Sequence, residues 1–230
     1  MPSFYLILIA IVSYLIGSIP TAYLAVKKFT GQDIRKVGSG NVGAMNTVRA
    51  IKNVGKGKLA IIGFLLVLII DMTKGALAVA LAQKLAGSQL FLVLIISAFF
   101  VVLGHNYSIF LKFSGGRGAA CLMGILLYLN IWAFIIWGLP NILFPIFFQI
   151  ILEKTGFEKK INWRKISDIV SLLGKQMAGR MAGLMLAPIP LYFYNIQIFL
   201  PIAAGTILLL IKNIPRFKGY FEKSGEVYGD

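Results

Sequence analysis

The sequence predicts an all-α fold, a polytopic bundle of helices embedded in a membrane. Of its 230 residues, 58% are hydrophobic and only 13% are charged, and the mean hydropathy is +0.84. Soluble domains are about half apolar and roughly one quarter charged. The apolar residues also form separate runs, several of them near the roughly 20 residues that a helix needs to cross a bilayer. The bilayer is therefore the expected solvent.

The apolar runs predict about seven transmembrane helices in a single domain, residues 1–230. The fourth and fifth form one apolar stretch, divided at 138–141 because Gly-Leu-Pro-Asn is expected to break a helix. Without this division the count is six. The first run has no basic residues before it and no small-residue cleavage site after it, so it is interpreted as a retained span. The spans are predicted at roughly 4–26, 59–83, 89–104, 119–137, 138–152, 177–194 and 196–211.

Basic residues set the predicted orientation. The net charge of +15 would suggest nucleic acid in a soluble protein, but here the charge lies between apolar runs, so no nucleic-acid partner is expected. Four segments hold 20 of the 23 lysines and arginines, whereas the opposite side holds only Lys84. This asymmetry predicts an N-terminus outside and a C-terminus inside. The predicted cytoplasmic segments are 27–58, 105–118, 153–176 and 212–230.

Residues 153–176 are the longest polar stretch. Apolar residues alternate there with basic ones, which suits a helix on an anionic lipid surface. A solvated connector is the alternative, and both remain open. No oligomeric state is indicated by the sequence.

The first candidate site is the glycine-rich segment 38–49. It matches G-x-G-x-x-G, but a dinucleotide site also needs a strand and a βαβ unit, which do not fit between two membrane spans. Glycines let backbone N–H groups turn inward around an anion, and a helix starting near Ala44 would add its positive end. A flexible loop is the alternative. The candidate residues are Gly38, Ser39, Gly40, Asn41, Gly43, Asn46 and Arg49.

The second candidate is a charged pair inside the second span. Asp71 and Lys74 are three residues apart and so share a helix face. Charges at membrane depth are costly and usually face a protein interior or a wet cavity. The pair either lines the active cavity, with Lys74 near a phosphate, or locks helices together.

The third candidate combines His105 with a second glycine loop, Gly115, Gly116, Arg117 and Gly118. A Ser-Gly-Gly-Arg-Gly run directly before a helix again offers backbone donors, a cation and a positive helix end. His105, the single histidine, has either a catalytic or a supporting role. Asp71 is the only carboxylate within these motifs, so neither a metal site nor another cofactor is expected.

Taken together, these motifs resemble the acyl-phosphate:glycerol-3-phosphate acyltransferases, the PlsY family of bacterial membrane enzymes. The chain carries GSGNVGAMNTVR, DMTKG and GHNYSIFLKFSGGRGAA in the order and spacing of that family. The resemblance implies a transmembrane acyltransferase of phospholipid biosynthesis in the bacterial plasma membrane. It would transfer an acyl group from acyl phosphate to the 1-hydroxyl of glycerol 3-phosphate, giving lysophosphatidic acid and phosphate on the cytoplasmic side.

The resemblance also assigns residues. Ser39 and Arg49 match the family's essential serine and arginine, and the three glycines of the second loop match its phosphate loop. Asn213 fits the C-terminal pattern. Three positions depart from the family: Arg117 replaces a lysine, Leu210 stands where a histidine is usual, and the usual glutamate is absent or displaced to Glu222.

Two phosphates must lie side by side in such a reaction, and Arg49, Lys74 and Arg117 are the cations expected to hold them. The general base is either His105 or the donor's own phosphate. Two rival functions remain: a carrier or flippase for a phosphorylated small molecule, and a paralogous acyltransferase with a different acceptor. Polar groups running through the whole bundle would favour the carrier.

Overall fold

A computed structural model describes residues 3–85 and 90–225. Eleven α-helices occupy this part of the chain, which confirms the all-α prediction. Two 3-10 turns, Ile34–Lys36 and Ile109–Leu111, lie in the connections. The helices are α1 (Ser3–Ser18), α2 (Thr21–Thr30), α3 (Ala44–Asn53), α4 (Gly57–Leu85), α5 (Leu90–Asn106), α6 (Ala119–Leu129), α7 (Ile131–Lys154), α8 (Ile166–Lys175), α9 (Met177–Leu186), α10 (Pro188–Tyr194) and α11 (Ile196–Gly225).

Four stretches of the described chain are long and apolar enough to cross a bilayer, which supports a membrane-embedded bundle. They are Phe4–Thr30, Gly57–Leu85, Ile131–Lys154 and Ile196–Tyr220. Helices α5 and α6 are apolar but shorter. The count of seven spans therefore stays a prediction. The predicted third span began at residue 89, which lies outside the described residues.

The predicted break at 138–141 is wrong, because α7 runs through it with Pro140 and Pro145 inside the helix. The chain breaks instead at Asn130, whose extended backbone (φ −168°) precedes α7 and whose side-chain oxygen accepts from the Ala133 N–H at 3.0 Å. Capping by asparagine favours a helix start. A proline removes only one backbone hydrogen bond, and neighbouring helices allow that inside a membrane bundle.

Prolines do interrupt two other predicted spans. The span at 4–26 divides into α1 and α2 at Ile19 and Pro20, since a residue that precedes proline is disfavoured in helical conformation. The span at 177–194 divides into α9 and α10, and Pro188 is the first residue of the second piece. In the segment 153–176, α7 ends at Lys154 and α8 occupies Ile166–Lys175.

Three helix pairs pack through glycines that face the backbone of the neighbouring helix: α1 with α5, α4 with α6, and α7 with α9. A Cβ added to any of these glycines would overlap a backbone carbonyl or proline of the partner helix. Small residues permit such approach where the hydrophobic effect cannot drive helices together. The glycines are Gly17, Gly104, Gly75, Gly124, Gly179 and Gly183.

The bundle has an apolar core and an apolar exterior. Leu122, Ile125 and Ile202 are fully buried where α5, α6, α7 and α11 meet. Large apolar side chains such as Ile69 and Phe193 are exposed on the outer faces. Exposed apolar surface on this scale is typical of contact with lipid.

We expect Gly124→Ala to lower stability by about 1–3 kcal/mol, the usual cost of overpacking, because the new Cβ would overlap the backbone of Met72. Thermal unfolding of the purified protein in detergent would measure it. Gly138→Ala is the matched control, since nothing lies within 4 Å of a Cβ at that helical position. Equal melting temperatures for the two variants would contradict this account of the α4–α6 contact.

Candidate active site

A cavity of about 400 Å³ opens between α3, α4, α6, α9 and α11, and we call it the polar cavity because of the charged side chains in its wall. Four arginines line it: Arg49 on α3, Arg117 just before α6, Arg180 on α9 and Arg216 on α11. All four are partly buried. The chain therefore collects cations from four separate segments around one space.

These positive charges are poorly compensated. Burial, and then the positive charges of the other three arginines, lowers the pKa of Arg117 to about 9. Among the described residues that line the cavity, Asp71 is the only carboxylate, and Lys74 already neutralises it. Asp33, the acid nearest in sequence to the first glycine loop, is paired with Arg35 instead. Such an excess of positive charge attracts an anionic ligand.

Two helices begin at the cavity. Ala44 and Met45 of α3 line it, as do Ala119 and Ala120 of α6. The first N–H groups of a helix have no partner within that helix, and they carry a partial positive charge. The predicted helix start near Ala44 is thus confirmed, and both helix ends suit a phosphate group.

The side chain of Asn46 fixes the conformation of the first glycine loop through three hydrogen bonds. Its side-chain oxygen accepts from the Ser39 N–H at 2.9 Å, and its amide nitrogen donates to the carbonyls of Val37 (2.9 Å) and Ile34 (3.2 Å). Asn46 is buried. It therefore positions Ser39, which is exposed and lines the cavity.

The glycines of this loop are needed for its backbone conformation more than for contact with a ligand. Gly38 and Gly40 have positive φ angles, and a Cβ on Gly38 would overlap the Asn46 side chain. The Gly40 N–H donates to Val37 O and the Gly43 N–H to Asn41 O, both at 3.1 Å. Asn41 and Gly43 reach the cavity wall. The N–H groups of Ser39, Gly40 and Gly43 are consequently already bonded within this segment.

The Asp71–Lys74 ion pair connects α4 to the break between α1 and α2. Lys74 Nζ lies 2.5 Å from Asp71 Oδ1 and donates to Ile19 O at 2.8 Å. That carbonyl also accepts from the Thr21 N–H at 3.0 Å, at the break where Pro20 separates α1 from α2. His105 Nδ1 lies 3.9 Å from the same Asp71 oxygen. Lys74 faces a water-sized space of about 10 Å³ rather than the polar cavity, which fits the helix-locking interpretation.

The second glycine loop lies against the end of α5. The Gly116 N–H donates to His105 O at 2.9 Å, and a Cβ on Gly115 would overlap that same carbonyl. A Cβ on Gly116 would overlap His105 Nε2. Gly118 adopts φ +81° as the residue that precedes α6. The close packing holds Arg117 at the cavity and encloses His105, which is buried yet lines the wall.

Asn213 lies apart from the polar cavity. It lines an adjoining cavity of about 270 Å³, and its amide nitrogen donates to Leu209 O at 2.8 Å within α11. In the part of the chain that the structure describes, no three histidine, cysteine or acidic side chains are placed to hold a metal ion.

Sequence reasoning missed two of the four cavity arginines as site residues. Neither Arg180 nor Arg216 is among the site residues predicted from the sequence. The signal was present for Arg180, because an ionisable residue at membrane depth usually marks a functional site.

Comparison with known proteins identifies the family. The family model described as "Glycerol-3-phosphate acyltransferase" matches residues 7–154, more than half of the chain. This chain belongs to the glycerol-3-phosphate acyltransferase family. A relative from Anaplasma marginale is 36% identical over 169 residues, which are 74% of this chain and 73% of the relative.

Other members of the glycerol-3-phosphate acyltransferase family match over a shorter part. "Glycerol-3-phosphate acyltransferase 2" of Moorella thermoacetica is 47% identical over 135 residues, or 57% of this chain and 64% of the relative. A relative from Dehalococcoides mccartyi matches over 57% of its length. The chain thus spans less than two thirds of these two relatives.

The family fold extends over nearly the whole chain. The crystal structure of PlsY, "an integral membrane glycerol 3-phosphate acyltransferase", in its glycerol 3-phosphate form has a TM-score of 0.66 at 20% identity. The superposition covers 96% of this chain and 94% of that one. The family match at 7–154 contains Arg49 and Arg117, whereas Arg180 and Arg216 lie beyond it.

We expect Lys74→Met to destabilise the protein by about 3–5 kcal/mol, because it leaves Asp71 charged and buried without a partner. The double variant Asp71→Asn/Lys74→Met should be more stable than Lys74→Met alone. Thermal unfolding of the single and double variants gives the coupling free energy. Lys84→Met, an exposed lysine near the end of the same helix, is the control. If the losses of unfolding free energy caused by Asp71→Asn and by Lys74→Met simply add in the double variant, the two side chains are not coupled.

Proposed function

We propose that the chain transfers an acyl group from acyl phosphate to the 1-hydroxyl of glycerol 3-phosphate, forming lysophosphatidic acid and phosphate. The observation that carries this proposal is the polar cavity itself, where four arginines and two helix N-termini surround a space that also exposes Ser39. Two phosphate groups can be held there together. Family membership supports the acceptor, and relatives and the PlsY structure carry its name.

In the proposed reaction, the acceptor hydroxyl attacks the carbonyl carbon of the acyl phosphate. A new C–O ester bond forms, the bond from that carbon to the phosphate oxygen breaks, and inorganic phosphate leaves. Acyl phosphate is already activated, so the protein contributes mainly positioning and charge stabilisation. Arg49 and Arg117 offer forked donors that match phosphate oxygens in pairs.

The hydroxyl proton is assigned to the donor's phosphate. His105 is the alternative base, but its Nε2 is enclosed by Gly116 and the Val42 carbonyl region, and its Nδ1 faces Asp71. A supporting role for His105 fits these contacts better. The departing phosphate lies next to the attacked carbon and can accept the proton directly.

A carrier for a phosphorylated small molecule is the second candidate. It requires polar groups along the whole bundle. Apolar residues such as Leu122 and Leu126 are instead fully buried in the core of the bundle, which argues against polar groups running through it. An assay of purified protein for phosphate release from acyl phosphate distinguishes the two. Release that depends on glycerol 3-phosphate supports the enzyme, and transport across vesicles without release supports the carrier.

We expect Ser39→Ala and Arg49→Ala each to lower the rate of acyl transfer by about 10²–10³, the usual effect of removing one donor that stabilises developing charge. Initial rates with both substrates saturating would measure the loss. Lys52→Ala, an exposed cation on the same helix as Arg49, should keep full activity. Near-normal activity of Arg49→Ala would reject the site.

We also propose that the cavity opens to the cytoplasm of a bacterial plasma membrane, with the N-terminus outside and the C-terminus inside. Single cysteines replacing the exposed residues Lys52, Lys112 and Lys218 should resist a membrane-impermeant thiol reagent added outside intact cells. Lys84→Cys should react. The native Cys121 is buried and gives little background. Outside labelling of any of the first three would reverse or refute the orientation.

A further inference from the structure

Arg180 lies where two cavities meet. It lines the polar cavity and also the adjoining cavity of about 270 Å³, as Arg117 does. Besides the two arginines, the wall of the adjoining cavity has six apolar residues and two asparagines, Asn141 and Asn213, whereas Ser39 and Arg49 line only the polar cavity. Trp137, Leu184 and Leu209 line only the adjoining cavity, and the apolar residues Ala119, Met123 and Leu173 line both.

A single carbonyl holds Arg180 in place. Gly174 O, in the last turn of α8, accepts from Arg180 Nη1 at 3.0 Å and from Arg216 Nη2 at 2.8 Å. The shared acceptor keeps the two guanidinium groups beside each other. A guanidinium has five N–H donors, and Arg180 forms no ion pair with any acid in residues 3–85 and 90–225. Donors therefore remain for an anion.

We propose that Arg180 binds the phosphate group of the acyl donor, while the apolar cavity beside it takes the adjacent part of the acyl chain. This inference rests on the proposed function for its substrate. In an acyl phosphate, the charged group is attached directly to the head of an apolar chain, which matches a cation at the mouth of an apolar cavity. Glycerol 3-phosphate has no apolar chain, and Ser39 and Arg49 on the other side of the polar cavity suit it.

Arg180 lies outside the part of the chain that the family model matches. Helix α9 and the Gly174 carbonyl lie beyond residues 7–154, where the family match ends. The matched region supplies Arg49 and Arg117, and the region after it adds Arg180 and Arg216 to the cation cluster.

Kinetics with each substrate varied in turn test the assignment. Arg180→Met should raise the KM for acyl phosphate roughly 10- to 100-fold, since a charge-assisted hydrogen bond is lost. The KM for glycerol 3-phosphate should change less than about twofold on the same reasoning. Arg164→Met replaces an exposed arginine between α7 and α8 and should leave both values unchanged. A rise confined to glycerol 3-phosphate would overturn the assignment.

A binding measurement separates this inference from the proposed reaction. Dodecyl phosphate carries a phosphate on an apolar chain and cannot transfer an acyl group. It should raise the melting temperature of the wild-type protein in detergent but not that of Arg180→Met, whereas glycerol 3-phosphate should protect both. Arg180→Gln removes the charge and keeps an amide donor for Gly174 O, so it decides the matter if Arg180→Met does not fold.

Equal protection of wild type and both variants by dodecyl phosphate would refute a phosphate contact at Arg180. If the variants lose protection by both dodecyl phosphate and glycerol 3-phosphate, the proposed selectivity of Arg180 for the acyl donor is refuted. If the wild-type protein transfers no acyl group but Arg180 is still needed for protection by dodecyl phosphate, the binding site stands and only the proposed reaction fails.

Discussion

Repulsion between like charges is the constraint around which this molecule is arranged. Arg49, Arg117, Arg180 and Arg216 surround one cavity, and among the described residues that line it the one carboxylate, Asp71, is bound to Lys74. Holding four cations this close costs free energy, which an anionic ligand would offset on binding. The surrounding helices hold in place the segments that carry the cluster.

Very close contacts between helices hold the arginines in these positions. Glycines such as Gly75 and Gly124 bring α4 and α6 into backbone contact, so the first turn of α6 and Arg117 are positioned beside α4. The Asp71–Lys74 pair then joins α4 to the break between α1 and α2 through Ile19 O. The Asp71–Lys74 pair therefore helps to hold in place the helices around the cavity arginines.

The sequence predicted Ser39, Arg49 and Arg117 as site residues, but it did not predict Arg180 or Arg216. Glycine spacing and the positions of Ser39, Arg49 and Arg117 are local features, readable within a dozen residues, and the two predicted helix starts were confirmed. The role of Asn46 could not be read in this way, since a buried asparagine that accepts from Ser39 N and one that binds substrate have the same local sequence. Helix boundaries failed at 138–141 because Pro140 is accommodated by packing, which no local pattern records.

Composition and charge pattern by themselves determined that this is a helical membrane protein with basic, glycine-rich loops, since hydropathy and loop composition depend on each residue and its near neighbours. Only the tertiary structure decided which cations share a cavity. Arg180 and Arg216 are 36 residues apart in the sequence and meet because both donate to Gly174 O. Contacts between segments far apart in sequence depend on how helices pack in three dimensions, and that packing joins the two halves of the site.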